Sequence, residues 1–277
     1  MLEVAGKYDA LLCGDDAITR MVLERSIPRL KVISKYGIGL DRIDLTAATE
    51  LKIPVLFTPG VNHTTVAEHT FALMLALVRN IVTEANNTAA GNWIKITGHD
   101  LRGKIIGIVG LGRIGQEVAK LATAFGMQVL GYGTHWDPEF TSRLKVERVK
   151  SLGKLLQLSD IVTLHTKLQP NTRHLINAKS IRLFKKGAVL INTSRGDLVD
   201  NHALLAALDS HSLLGYAADV LDQEPPPKNH PLLGNQRVIL TPHIGSRTFE
   251  SVQRQATCAI DNLVLFLSGN KPVARAC

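Results

Sequence analysis

Gly110-Leu111-Gly112-Arg113-Ile114-Gly115 forms a G-x-G-x-x-G run. The apolar run KIIGIV (104–109) before it reads as a strand. Ile114, Val118, Leu121 or Ala122, and Phe125 after it give a helix one apolar face, with Gly126 at its end. A glycine triplet alone is weak, but between a strand and a helix it is the fingerprint of a dinucleotide site. The first glycine makes the turn, the second lets backbone approach a pyrophosphate, and the third lets helix and strand pack closely. Backbone N–H groups at the helix start then face the phosphates.

A second set of residues stands where strands should end. His165 follows DIVTL, Arg195 follows AVLINTS, Asp219 follows LGYAA and His243 follows RVILTP, with Glu224 in the proline-rich segment DQEPPP beyond Asp219. Ligands of open α/β sheets bind beyond the carboxyl ends of the strands. An Arg, a His and two acids on that rim beside a dinucleotide loop suit hydride transfer. Arg offers a two-pronged fork for a carboxylate, and a His beside a Glu exchanges a proton near neutral pH.

The elements that must carry these residues alternate along the whole chain. YDALLC (8–13), LKVIS (30–34) and IPVLF (53–57) read as strands with helices between them. After Gly91 and Trp93, six further strands are expected at 104–109, 127–132, 160–165, 188–193, 213–219 and 237–242. This order predicts an α/β fold: a Rossmann-type doubly wound parallel sheet and a second, smaller flavodoxin-like lobe. The expected division is 1–60 plus 247–277 for the smaller lobe and 61–246 for the nucleotide-binding one. Thr65 and Glu68 have capping-box spacing, so a long buried helix connecting the lobes is expected to start there. Trp93 is expected to pack at the lobe junction.

Composition agrees with this class. The chain has 277 residues, 45% of them hydrophobic and 20% charged, with 32 basic against 24 acidic residues, hence a net charge of +8. Cys13, Cys258 and Cys277 are too few and scattered for a disulfide frame or a zinc site, which points to a reducing, cytoplasmic location. His63 and His69 do not share one helical face, and no metal site is expected. The basic residues are dispersed and aromatics make up only 5%, against a nucleic-acid surface. The stretch from Phe71 to Val78 is far short of the roughly 20 residues of a membrane span.

The segments KYGIGLDRIDL, TPGVNHTTVAEH, GIVGLGRIG, INTSRGDLVD, AADVLDQEP and TPHIGSRT occur in this order. They resemble the D-isomer-specific 2-hydroxyacid dehydrogenases, in the branch of the phosphoglycerate dehydrogenases and the hydroxypyruvate and glyoxylate reductases. The resemblance implies transfer of a hydride between NAD(P)H and a small 2-oxo acid or D-2-hydroxy acid. It assigns Arg195 to the substrate carboxylate and carbonyl, His243 to acid/base chemistry and Glu224 to pairing with His243. Asp219 would hold the nicotinamide carboxamide, and backbone N–H groups of Gly37, Ile38 and Gly39 the substrate carboxylate. The cofactor set is Gly110, Gly112, Arg113, Ile114, Gly115, His165, Thr193 and Asp219. A homodimer is the expected assembly. The alternative reading is a catalytically inactive NAD(P)-binding, corepressor-like protein.

The chain departs from the family pattern in four places. The acid that binds the cofactor ribose is replaced by Gly133 in YGTH, leaving NAD and NADP both open. His135 and Arg143 lie nearby. Lys167 stands where a proline is usual, Arg247 where a small residue is usual, and the strand and helix expected before YDALLC are absent.

Overall fold

A computed structural model describes residues 1–277 and divides them into two units, Met1–Asn62 with Ser246–Cys277, and His63–Gly245. In chain order the strands are β1 (Ala10–Cys13), β2 (Val32–Lys35), β3 (Val55–Leu56), β4 (Ile105–Val109), β5 (Gln128–Tyr132), β6 (Glu147–Arg148), β7 (Ile161–Leu164), β8 (Ala188–Asn192), β9 (Leu213–Ala218) and β10 (Val238–Leu240). The helices are α1 (Arg20–Ser26), α2 (Leu45–Glu50), α3 (His63–Val78), α4 (Ile81–Ala89), α5 (Arg113–Ala124), α6 (Pro138–Arg143), α7 (Leu152–Leu158), α8 (Ala178–Ile181), α9 (Asn201–Asp209) and α10 (Phe249–Leu267).

The first unit is a three-stranded parallel sheet, β1-β2-β3, with α10 packed on β2. Its core joins Leu11, Cys13 and Ile33 of the strands to Val22 and Leu23 of α1 and Ala47 and Ala48 of α2. Burial pushes the Cys13 thiol up to about 11, so it stays protonated and packs as an apolar group.

The second unit is a seven-stranded sheet in the order β10-β9-β8-β7-β4-β5-β6, parallel throughout. From β4 the chain winds outward to β6, then returns to β7 on the other side of β4. That reversal is the switch point at which such sheets bind ligands. Successive side chains of a strand point to opposite faces. Accordingly Ile106, Ile108, Val189 and Ile191 join α3 and α5 in one core, while Val162, Leu164, Leu190 and Tyr216 join α7 and α9 in another. Buried on both faces, these strands had to be near-continuous apolar runs.

Four expectations need correction. The seventh strand, β6, is a two-residue exposed edge pair, Glu147–Arg148, too short and polar to show a pattern. Helix α3 begins at His63, which places Thr65 and Glu68 within the helix, Thr65 buried. It belongs wholly to the second unit, packed on α5 and β9, and is not a separate connector. Trp93 is 83% exposed, because it follows α4, a helix with no buried residue, in a stretch without regular structure.

Candidate active site

Glycine sets the geometry of the loop after β4. Gly110 has φ +100°, and a Cβ there would lie 2.4 Å from the His165 carbonyl oxygen. At Gly115 a Cβ would lie 2.0 Å from the carbonyl oxygen of Gly110, so α5 can sit this close to the turn only with glycine. Gly112 is the N-cap of α5, has no side-chain cap, and faces open space. Arg113 and Ile114 follow as the first helical residues, with N–H groups that no residue of the helix can accept. An uncapped twelve-residue helix behind an open, glycine-lined approach fits a pyrophosphate.

His165 flanks this loop from the end of β7. Its Nε2 lies 2.9 Å from Thr163 Oγ1, its buried Nδ1 has no partner, and burial pushes its pKa down to about 3. It is a neutral imidazole and cannot be a cationic phosphate ligand. Thr193, after β8, shares a 3.0 Å hydroxyl contact with Thr70 of α3.

Beyond β8 the chain turns sharply. Asn192 Nδ2 donates to the Arg195 carbonyl oxygen at 2.9 Å, while Asn192 Oδ1 accepts from the Ser194 N–H at 3.0 Å. Gly196 comes next, and a Cβ there would be 2.0 Å from the Leu221 carbonyl carbon. The bare backbone nests against Leu221, whose N–H in turn donates to Glu224 Oε1 at 2.9 Å. This brings Arg195 close enough for its charge to act on both Glu224 and His243.

Glu224 Oε2 stands 2.7 Å from His243 Nδ1. The Glu224 hydrogen bond raises the His243 pKa above 6.5, outweighing burial and the Arg195 charge, which lower it. Burial pushes Glu224 up, but the bonds to His243 and Leu221 and the Arg195 charge bring it below its usual value. His243 has φ +54°, uncommon for a residue with a side chain and frequent at functional sites. With Nδ1 engaged, Nε2 is the ring nitrogen left for exchange.

Asp219 holds that backbone in place. It is 3% exposed. Oδ1 accepts from the Thr241 hydroxyl at 2.6 Å and the Ile244 N–H at 2.9 Å, and Oδ2 from the Gly245 N–H at 2.7 Å. Sequence reasoning missed the next member, His69 of α3, whose Nε2 is 3.0 Å from Thr241 Oγ1 and 3.3 Å from Asp219 Oδ1. Burial pushes Asp219 up; its donors, His69 first, bring it below its usual value.

In the first unit, Gly37 has φ +113°, and its N–H donates to Thr58 Oγ1 at 2.9 Å while its carbonyl accepts from the Thr58 N–H. The Gly37 N–H is therefore committed within the fold, and Ile38 and Gly39 carry the open N–H groups of this loop. Buried Gln255 of α10 supports it: Oε1 accepts from Asn62 Nδ2, and Nε2 reaches Ser251 Oγ and the Ser246 carbonyl.

Comparison with known proteins shows the family. The family described as D-isomer specific 2-hydroxyacid dehydrogenase, NAD binding domain, matches residues 71–245. A glyoxylate reductase of Thermofilum pendens is 44% identical over 275 residues, covering 96% of this chain and 80% of the relative. A D-3-phosphoglycerate dehydrogenase of Methanocaldococcus jannaschii is 41% identical over 272 residues, covering 97% of this chain and 52% of the relative, so the chain spans about half that protein's length. The crystal structure of the TT0316 protein from Thermus thermophilus superposes with a TM-score of 0.92 at 40% identity, covering 100% of this chain and 88% of that one. The glycine loop on β4, the assembled Arg, Glu and His, and these matches lead to one conclusion: the chain belongs to the D-isomer specific 2-hydroxyacid dehydrogenases and is an NAD(P)-dependent oxidoreductase.

Proposed function

We propose that the chain reduces a small 2-oxo acid of the glyoxylate, hydroxypyruvate or phosphohydroxypyruvate type to the D-2-hydroxy acid, with Arg195, Glu224 and His243 as its catalytic residues. The observation that carries this reading is the 2.7 Å contact between His243 Nδ1 and Glu224 Oε2 within reach of the Arg195 charge. The Arg195 guanidinium pairs with the substrate carboxylate and polarises the carbonyl oxygen. In the first unit, the open N–H groups of Ile38 and Gly39 suit a carboxylate. When bound, the nicotinamide cofactor supplies the hydride that reduces C2. His243, held as imidazolium by Glu224, donates its Nε2 proton to the oxygen that gains charge. Gly112, Arg113 and Ile114 offer backbone N–H groups to the pyrophosphate. Asp219, the residue the family resemblance assigns to the carboxamide, has a geometry that supports fixing the turn of His243 first.

The assembled catalytic set favours an enzyme over an inactive binding protein. No single helix is long and apolar enough to cross a membrane, and a cytoplasmic location is part of the proposal. A homodimer is too, supported by the apolar exposure of Ile81, Val82, Trp93 and Ile94 on one stretch of the second unit. Purified protein with NADH or NADPH and the three 2-oxo acids tests the activity. Oxidation of cofactor that His243→Gln abolishes is expected; identical traces from wild type and variant would overturn it.

A further inference from the structure

Strand β5 ends at Tyr132, and the residues after it bear on which nucleotide the glycine loop accepts. A Cβ at Gly133 would lie 3.4 Å from Gly110 Cα and 3.7 Å from the backbone nitrogens of Gly110 and Leu111. A side chain at 133 would thus emerge beside the loop, where dinucleotide sites of the NAD type carry the carboxylate that holds the ribose hydroxyls. Here that place holds only hydrogen. The first acid after the strand, Asp137, is committed elsewhere: its Oδ1 accepts from the Phe140 N–H at 3.0 Å as the N-cap of α6. Glu139 lies in the first turn of the same helix.

Three other polar groups near the strand end carry no negative charge. Thr134 and His135 are exposed, and their side chains are bonded to nothing in the fold. Arg148 of β6 is paired in register with Gly131, so it shares a face with the Gly131 and Gly133 positions. Trp136 and Leu111 cover Gly131 on that face. The Arg148 guanidinium stacks over Trp136, 5.0 Å from the ring centroid, and forms no ion pair. Glu147, its neighbour in the strand, is in register with Leu130 and points to the other face. The β5 rim near the loop therefore presents a fixed cation, a hydroxyl and an imidazole.

We propose that Thr134, His135 and Arg148 form a site for the 2′-phosphate of the adenosine ribose, and that this chain takes NADPH in preference to NADH. The inference rests on the assignment of the glycine loop to a nicotinamide dinucleotide. Gly133 removes the charge that would repel the phosphate, Arg148 supplies an opposite one, and the Trp136 ring holds the guanidinium in place.

Fluorescence titration of the protein with NADPH and with NADH, without substrate, tests the proposal. Wild type should bind NADPH about tenfold or more tightly than NADH, the scale of one near charge contact. Gly133→Asp should cancel or reverse that ratio, and the ordinary contact distances around the new Cβ let it fold. Arg148→Gln should weaken NADPH about three- to tenfold and leave NADH within about twofold. Adenosine 2′,5′-bisphosphate should displace NADPH better than 5′-ADP does. Equal or tighter NADH binding by wild type, or an Arg148→Gln loss shared by both nucleotides, would overturn the proposal while leaving the dinucleotide site intact. Failure to bind either nucleotide would overturn the site assignment itself.

Discussion

His243 Nδ1 and Glu224 Oε2 stand 2.7 Å apart, and each shifts the titration of the other, His243 upward and Glu224 downward. Reduction needs His243 protonated. Its rate should therefore fall as pH rises through a pKa that lies above 6.5. Glu224→Gln removes the largest raising influence and leaves burial, which lowers it. The falling limb of kcat/KM should then move to lower pH. Profiles of wild type and Glu224→Gln with a 2-oxo acid substrate check this, and coincident limbs would remove Glu224 from the role given to it.

Arg195 acts on the same pair and carries a second expectation. Its planar fork can meet a carboxylate with two parallel hydrogen bonds, which a lysine ammonium cannot reproduce. Arg195→Lys keeps the charge that lowers both His243 and Glu224. It should lower kcat/KM by about 10² or more, on the scale of a lost charge-assisted bond, while leaving the pH limb in place. Steady-state kinetics against pH separates the two effects. A moved limb with an unchanged maximum would assign Arg195 to tuning His243 alone.

The parts of this site that could be read from the sequence share a cause. Strands β4, β7, β8 and β9 are buried on both faces, so their apolar runs stand out along the chain, and so do the polar residues ending them, His165, Arg195 and Asp219. Gly110 and Gly115 are legible because close backbone approach admits only one residue type. β6 is not legible, since an exposed two-residue edge carries no periodic signal. His69 was invisible for another reason: it lies 150 positions from Asp219, and only the packing of α3 against β9 and β10 brings the two together. Arg148 was hidden likewise, its neighbours fixed by strand register.

Asp219 ties the residues beyond β10 to the end of β9, and its removal should be felt as loss of order more than loss of charge. Both carboxylate oxygens accept hydrogen bonds from Thr241, Ile244 or Gly245. Asparagine keeps one acceptor oxygen and sets an NH₂ against an existing donor. Asp219→Asn should destabilise the protein by about 1–3 kcal/mol, the cost of leaving a buried polar group unpaired. The folded-state pKa of Asp219 is depressed below 3.8. Its contribution is thus present above that value and lost as pH falls through the folded-state value. At pH 7 the wild-type Tm should exceed that of Asp219→Asn, and the gap should narrow toward acid. A gap independent of pH would leave the carboxylate charge without a part in holding this turn.

Gly196 gives the sharpest steric expectation. Alanine there would set its Cβ 2.0 Å from the Leu221 carbonyl carbon and 2.2 Å from the Asp222 nitrogen, backbone atoms that no rotamer change can clear. The turn carrying Arg195 and the segment carrying Glu224 must separate to accommodate it. Overpacking of this kind costs about 1–3 kcal/mol or more. Gly196→Ala should lower Tm and also disturb the alignment of Arg195 with Glu224 and His243. The loss of kcat should then persist at temperatures well below the new Tm. Dinucleotide binding should survive, because the glycine loop after β4 is untouched. Calorimetry, nucleotide titration and kinetics on one variant decide the matter: a folded Gly196→Ala protein with wild-type kcat would show that the close approach of these two segments is not what aligns the catalytic residues.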